Sequence, residues 1–191
     1  DNAKHCMIQS KIFETINVEK GLSEAVKYTI RFCIKNNKRL IIAGKRDKKY
    51  NDLQHQDEIK FYKNNLEKRE FDYFQRSFLE RDVDNFSSYK AVLNSKVAVG
   101  NCTTLLIDKL GTGGKILSCN FTGNPSINFP INGICLFMKD SYEDFKNTVL
   151  QIISMNNEDY FKRLETDKNF AMIPPYNTAD ILRKKFLNYL N

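Results

Sequence analysis

Tryptophan is absent from this 191-residue chain, and histidine nearly so, with only His5 and His55. The five cysteines, Cys6, Cys33, Cys102, Cys119 and Cys135, are odd in number, widely scattered and form no Cys-x-x-Cys pair. That leaves neither ligand spacing for a structural zinc site nor a disulfide framework. Four of the five sit in apolar runs, so free, buried thiols in a reducing compartment are expected. No apolar run approaches the ~20 residues of a membrane-spanning helix, and residues 1–30 lack a signal-peptide pattern. A cytoplasmic location is therefore expected, and the sequons at Asn85, Asn101 and Asn120 have no secretory setting. Both glycine-rich phosphate signatures are missing: no GxGxxG follows the first strand and no GxxxxGK[ST] occurs. Thr112-Gly113-Gly114-Lys115 stands after a helical stretch and before a strand, which makes it a helix stop and turn. Acidic residues are also short, 23 against 30 Lys and Arg, and the net charge of +7 favours anionic partners. Phosphates, nucleic acid and an acidic membrane surface all fit that sign.

What is present is an alternation of strand-like and helix-like segments, which predicts an α/β fold, a Rossmann-like parallel sheet with helices on both faces. Residues 5–13 read as a first strand. Over residues 18–37, Leu22, Ala25, Val26, Thr29, Ile30, Cys33 and Ile34 recur at helical spacing. "KRLIIAGK" (38–45) reads as a strand closed by Gly44, with Lys45 and Arg46 at its carboxyl end. Residues 47–55 read as a loop and 56–69 as a charged surface helix, while 71–81 fits either a strand or a short aromatic helix. A helix is expected over 85–95, capped by Asn85 or Ser87, with Tyr89, Val92 and Leu93 inward. Further along come a strand at 96–100, a helix at 103–113, strands at 115–119 and 134–138, and a helix at 141–154 capped by Ser141. Residues 1–154 would form the Rossmann-like domain. Residues 155–191 would form a C-terminal helical extension, with segments at 156–165 and 178–190 divided by Pro174-Pro175.

The passage between Gly100 and Asp108 carries the chemistry. A strand ending at Gly100 delivers the chain to a helix start whose first-turn N–H groups lack intrahelical partners. Those donors and the helix dipole suit an anion, and the Thr103 and Thr104 hydroxyls add hydrogen-bonding groups there. Lys45 and Arg46, past a neighbouring strand, would approach the same rim. Asp108 lies on the face that Thr104 starts, where a carboxylate can accept from ribose hydroxyls. The plainer alternative is that Thr or Asn here is an N-cap and Asp108 a complement to the helix dipole.

These residues sit in "SYKAVLNSKVAVGNCTTLLIDKLGTGGKILSCNFTGN", which resembles a segment of surface-carbohydrate biosynthesis proteins related to GT-B glycosyltransferases. The resemblance is carried by residues 85–154 and matches the C-terminal, donor-binding half of such enzymes. It implies a nucleotide-sugar donor as substrate, with Asn101, Cys102, Thr103 and Thr104 facing the diphosphate. Lys45 and Arg46 would stabilise the leaving group, and Asn120, Thr122 and Gly123 would border the sugar. Asp108 stands where the family usually has the longer Glu that binds the ribose. The resemblance further implies no cofactor and no metal, a carbohydrate or lipid-linked acceptor, and a catalytic base supplied by an N-terminal half with no counterpart in this sequence. Peripheral contact with the inner face of the membrane would suit the basic, aromatic segment 181–191. Two other readings compete. One is a non-catalytic basic module for nucleic acid or anionic membrane, resting on Lys35, Lys38, Arg39, Lys45, Arg46, Lys48 and Lys49; no recognised nucleic-acid motif accompanies these, which disfavours nucleic acid. The other is a sugar-nucleotide epimerase relative, for which His55 and the acids at 57–58 are the local candidates.

Overall fold

A computed structural model describes residues 18–101 and 103–165. The expected strand at 5–13, the helix at 178–190 and the break at Pro174-Pro175 lie outside these residues. Among the described residues helix α1 (Val18–Lys35) precedes strand β1 (Ile42–Asp47), helices α2 (Asp52–Asn65) and α3 (Lys68–Ser77), and strand β2 (Phe78–Arg81). Helix α4 (Ser87–Asn94), strand β3 (Val97–Gly100), helix α5 (Thr104–Gly111) and strand β4 (Lys115–Cys119) follow. After them come the short strands β5 (Asn132–Gly133) and β6 (Leu136–Phe137), helices α6 (Tyr142–Ser154) and α7 (Asn157–Lys162), and strand β7 (Leu164–Glu165). β1 pairs parallel with β2, and β3, β4 and β6 form a parallel sheet in that order. β5 pairs antiparallel with β7. Parallel strands flanked by helices make this a Rossmann-like α/β fold.

The apolar face expected of α1 resolves into two stripes. Ala25, Tyr28, Phe32 and Cys33 enter the larger core with Leu106, Ile116, Leu117, Phe145 and Ile152. Ile30, flanked by Val26 and Ile34, enters a second core with Leu66 and Phe74, beside Ile42 and Phe78. β4 is buried along its whole length, as a central parallel strand should be. α6 begins as expected, with Ser141 Oγ accepting from the Asp144 N–H, and it buries Phe145, Val149 and Ile152.

Several expected boundaries move, each for a local reason. Residues 52–55 are helical, not loop, and α2 ends at Asn65 because Leu66 turns to extended backbone and buries its side chain. Glu67 then starts α3: Glu70 Oε2 accepts from its N–H, while Glu67 and Glu70 both hold Arg31 of α1. Residues 71–81 supply both of the alternatives, the end of α3 and then β2. Gly44 lies inside β1 rather than closing it, and a Cβ there would meet the Phe78 ring at 2.9 Å and the Leu79 carbonyl at 3.0 Å. Neither Asn85 nor Ser87 caps α4. The cap position is Phe86, in left-handed backbone (φ +53°), because Ser87 Oγ turns back to accept from the Asp82 N–H and donate to the Glu80 carbonyl. α4 consequently lies shallow: Tyr89 and Leu93 are exposed, and only Val92 of the expected inward residues is half-buried against the core. Residues 156–165 split into α7 and β7, and Gly133 (φ +86°) makes their docking possible, since a Cβ would meet the Arg163 carbonyl at 2.2 Å. Cys33, Cys119 and Cys135 are free and buried, as expected; burial pushes the Cys33 thiol up to about 11 and Cys135 to about 12.

β6 covers β4 only at Ser118 and Cys119, so Ile116 has no partner strand on that side. Tyr160 of α7, itself fully buried, fills the gap: its Oη accepts from the Ile116 N–H at 3.0 Å and donates to the Ile116 carbonyl at 2.7 Å. Tyr160→Phe strands both groups in the core. Urea denaturation is expected to show a loss of about 1–3 kcal/mol with an unchanged slope; a change under 0.5 kcal/mol would mean that the sheet edge does not depend on this hydroxyl.

Candidate functional site

β3 ends at Gly100 beside the start of α5, at the carboxyl end of the β3–β4–β6 sheet. Thr103 is the helix cap, extended at φ −141°, ψ 146°, and its Oγ1 accepts from the Leu105 N–H at 3.2 Å. Its carbonyl accepts from the Leu106 N–H at 3.1 Å. Part of the donor set expected for an anion is thus consumed within the chain, and for Thr103 the capping role is the one seen. Thr104, by contrast, is exposed and its hydroxyl makes no hydrogen bond among the described residues. Asn101 is half-buried at the same end. Cys102 lies outside the described residues.

Asp108 follows Thr104 by one turn, half-buried, and its Oδ2 accepts from Tyr89 Oη at 2.8 Å. The accepting carboxylate pushes the Tyr89 phenol above its ordinary value. Helical spacing alone places Tyr89 inward, but it is exposed and faces Asp108; the signal for that place is its position at the head of the helix that precedes β3. The next residue on α5, Lys109, is buried and donates from Nζ to the Leu93 and Ser95 carbonyls at 2.7 and 2.6 Å. Burial lowers the pKa of its ammonium. One end of α4 is therefore tied to the second turn of α5 through Tyr89 and Asp108, and the other end through Lys109.

Lys45 and Arg46 lie within β1 instead of past its end. The ladder to β2 is irregular between Ala43 and Asp47, which frees the backbone N–H groups of both residues. The Glu58 carboxylate of α2 takes them, at 3.0 Å from Lys45 and 3.1 Å from Arg46. No hydrogen bond or ion pair joins either side chain to α5 among the described residues. The link between the two regions runs through α4: Ser88 Oγ donates to the Gly44 carbonyl at 3.3 Å, and the next residue is Tyr89. His55, offered with the acids at 57–58 for an epimerase, is buried on α2 with Nε2 3.9 Å from the exposed Glu80 carboxylate.

The Asn120–Gly123 loop leaves the buried end of β4. Asn120 Nδ2 donates to the Asn124 carbonyl (2.8 Å) and Asn128 Oδ1 (2.6 Å), and its Oδ1 accepts from Thr122 N–H (3.0 Å) and Oγ1 (2.7 Å). Thr122 Oγ1 accepts in turn from the Asn124 N–H at 3.2 Å. Both side chains are spent on the loop's shape, while Gly123 is exposed at φ +73° with open space beside it. A cavity of about 560 Å³ lies elsewhere, between Asn132–Met138 and Gln151, Arg163 and Glu165, and includes none of the candidate residues. Among the described residues no cluster of His, Cys, Asp and Glu could hold a metal, and no helix is long and apolar enough to cross a membrane.

Residues 22–190 match the model of a protein family described as "putative O-antigen biosynthesis protein". No curated protein and no solved structure gives a significant match. The family description fits a role in surface-polysaccharide biosynthesis.

Asn120→Ala separates loop building from ligand contact. With its four hydrogen bonds gone, the chain is expected to lose about 2 kcal/mol of stability in urea titration, ligand or no ligand. An unchanged midpoint would mean that the loop holds its shape without this side chain.

Proposed function

The chain belongs to this O-antigen biosynthesis family, and from that premise we propose that it binds the nucleotide-sugar donor of a glycosyltransferase reaction in surface-polysaccharide or glycolipid synthesis. The observation that carries the reading is the exposed Thr104 at a helix start on the carboxyl end of a parallel sheet, with Asp108 one turn further on the same face. The donor diphosphate binds at that helix start, where Thr104 and the positive end of the helix dipole meet it. The ribose hydroxyls bind Asp108 at Oδ1, while Tyr89 holds Oδ2 and fixes the carboxylate. That brace compensates for a side chain one methylene shorter than Glu. Asn101 and Cys102 complete the diphosphate contacts, and the Lys45 and Arg46 side chains supply cationic field at the far side of α4. Gly123, with space beside it, borders the sugar; Asn120 and Thr122 contribute by shaping the loop that carries it.

Charge grows on the leaving diphosphate as its bond to the sugar's anomeric carbon breaks and the acceptor oxygen bonds to that carbon, and fixed dipoles and cations oppose it without a metal. The acceptor is a carbohydrate or lipid-linked carbohydrate, met at the inner face of the membrane.

The test is a thermal-shift and calorimetric panel of nucleoside diphosphates and their sugars, with magnesium and with chelator. One base is expected to raise the melting temperature selectively and to the same extent in both conditions, since a ligand of the folded state stabilises by mass action. Thr104→Ala and Asp108→Ala are each expected to weaken binding about tenfold, and Tyr89→Phe less than either. A panel that stabilises with every base equally, or an affinity untouched by both alanine variants, removes α5 from the site.

A further inference from the structure

A second basic site lies at the other end of the fold, where α1 runs out towards β1 and α3 runs into β2. A cavity of about 170 Å³ opens there, with Cys33, Asn37 and Lys38 on one side and Arg69, Tyr73 and Arg76 on the other. The α3 residues stand at i, i+4 and i+7 and so form one stripe along the helix. On the α1 side, Asn37 is in left-handed backbone (φ +47°) and turns the chain so that Lys38 reaches the rim. Three exposed cationic residues line one small cavity, and no acidic residue lines it.

Cations at a helix end ordinarily serve as caps or ion-pair partners, and neither duty is seen here. Around the end of α1 the Phe32 carbonyl accepts from the Asn36 N–H and Nδ2, the Cys33 carbonyl from the Lys38 N–H, and the Lys38 carbonyl from Tyr73 Oη at 3.0 Å, none of them from a cationic side chain. Of the acids nearby, Glu67 and Glu70 are held by Arg31, and Asp72, between Arg69 and Arg76 on α3, is exposed and makes no ion pair among the described residues. Among the described residues no carboxylate lies within ion-pair distance of Lys38, Arg69 or Arg76. Arg76 lies 5.8 Å from the Tyr73 ring centroid, a contact that orients the guanidinium and leaves its N–H edge unspent. The guanidinium fork matches phosphate oxygens bidentately, the Lys38 ammonium adds a point charge, and the Asn37 amide adds a neutral donor.

We propose that this cavity is a second anion site, for a phosphate-bearing ligand, on the opposite end of the fold from the donor helix. The phosphate belongs either to the headgroup of an anionic lipid or to a soluble phosphorylated compound. The site does not depend on the donor reading, because it shares no residue with α5.

The experiment uses the full chain in two arms: titration calorimetry with pyrophosphate, and sedimentation with phosphatidylglycerol against phosphatidylcholine vesicles. Arg69→Gln/Arg76→Gln is compared with Lys48→Gln/Lys90→Gln, which removes the same charge from exposed positions away from the cavity. Saturable binding in either arm, weakened about tenfold or more in the arginine pair and kept in the lysine pair, is the expected result. A soluble ligand is indicated when pyrophosphate binds, a lipid headgroup when only phosphatidylglycerol recruits the chain. Equal losses in the two charge-matched variants, or no binding in either arm, overturn the site. Lys38→Gln repeats the comparison without touching α3, should the double variant not fold.

Discussion

Helix α1 has to be buried on two sides at once. Its Ala25–Tyr28–Phe32 stripe closes the core over β4, and its Val26–Ile30–Ile34 stripe closes the core over β1 and β2. Among the described residues no strand pairing joins the two parallel sheets, so this helix is the principal apolar connection between them. A residue of the wrong size on either stripe is felt on both sides, because the helix cannot retreat from one core without pressing on the other. The arginine clamp from Arg31 to Glu67 and Glu70 fixes the helix's rotation, which decides which stripe meets which sheet.

A chain of only 41% hydrophobic residues builds such a fold by using polar groups inside it. Lys109 and Lys115 are both buried, and each ends in carbonyls at a helix C-terminus, Leu93 and Ser95 for α4, Ile152 and Met155 for α6. An ammonium there satisfies carbonyls that have no intrahelical donor and meets the negative end of the dipole. Tyr160 does the corresponding work where the sheet edge runs out. These groups cost desolvation, which lowers the pKa of both lysines, but they specify where each helix stops against its neighbour. Specificity of this kind favours a defined relation between α4 and α5, and the donor reading depends on that relation.

The architecture was legible where burial alone decides it. β4, the Phe145–Val149–Ile152 stripe of α6 and the Ser141 cap could be read from spacing, because an apolar period and a capping residue are local properties. What escaped was set by side chains reaching across elements. Ser87 fails to cap α4 because Asp82 and Glu80 compete for its hydroxyl, and Leu66 breaks a helical run because a core outside that run has room for it. At the site, the helix start at Thr103–Thr104 was readable from its place after Gly100. The Tyr89–Asp108 pair was not, since nothing in one helix's periodicity reports a carboxylate on the next. Lys45 and Arg46 were misplaced because a strand bulge and Glu58, more than ten residues away, jointly decide where β1 ends.

The first turn of α5 shows how one short sequence can serve both stability and binding. A helix start whose donors were all free would suit an anion well but would fray; one whose donors were all capped would be stable and closed to ligand. Here the two consecutive threonines divide the task. Thr103 gives its oxygen to Leu105 and its carbonyl to Leu106, which holds the turn, and Thr104 keeps its hydroxyl in solvent. The same division recurs four residues on, where Asp108 gives one carboxylate oxygen to Tyr89 and keeps the other. Because α4 is shallow and exposed, that second contact is the softer of the two, with little apolar burial behind it. A ligand bridging Thr104 and Asp108 would therefore tighten α4 onto α5, and through Ser88 onto the end of β1 that carries Lys45 and Arg46. On this reading the basic residues of β1 act on the donor through their field across α4, without direct contact with the helix start.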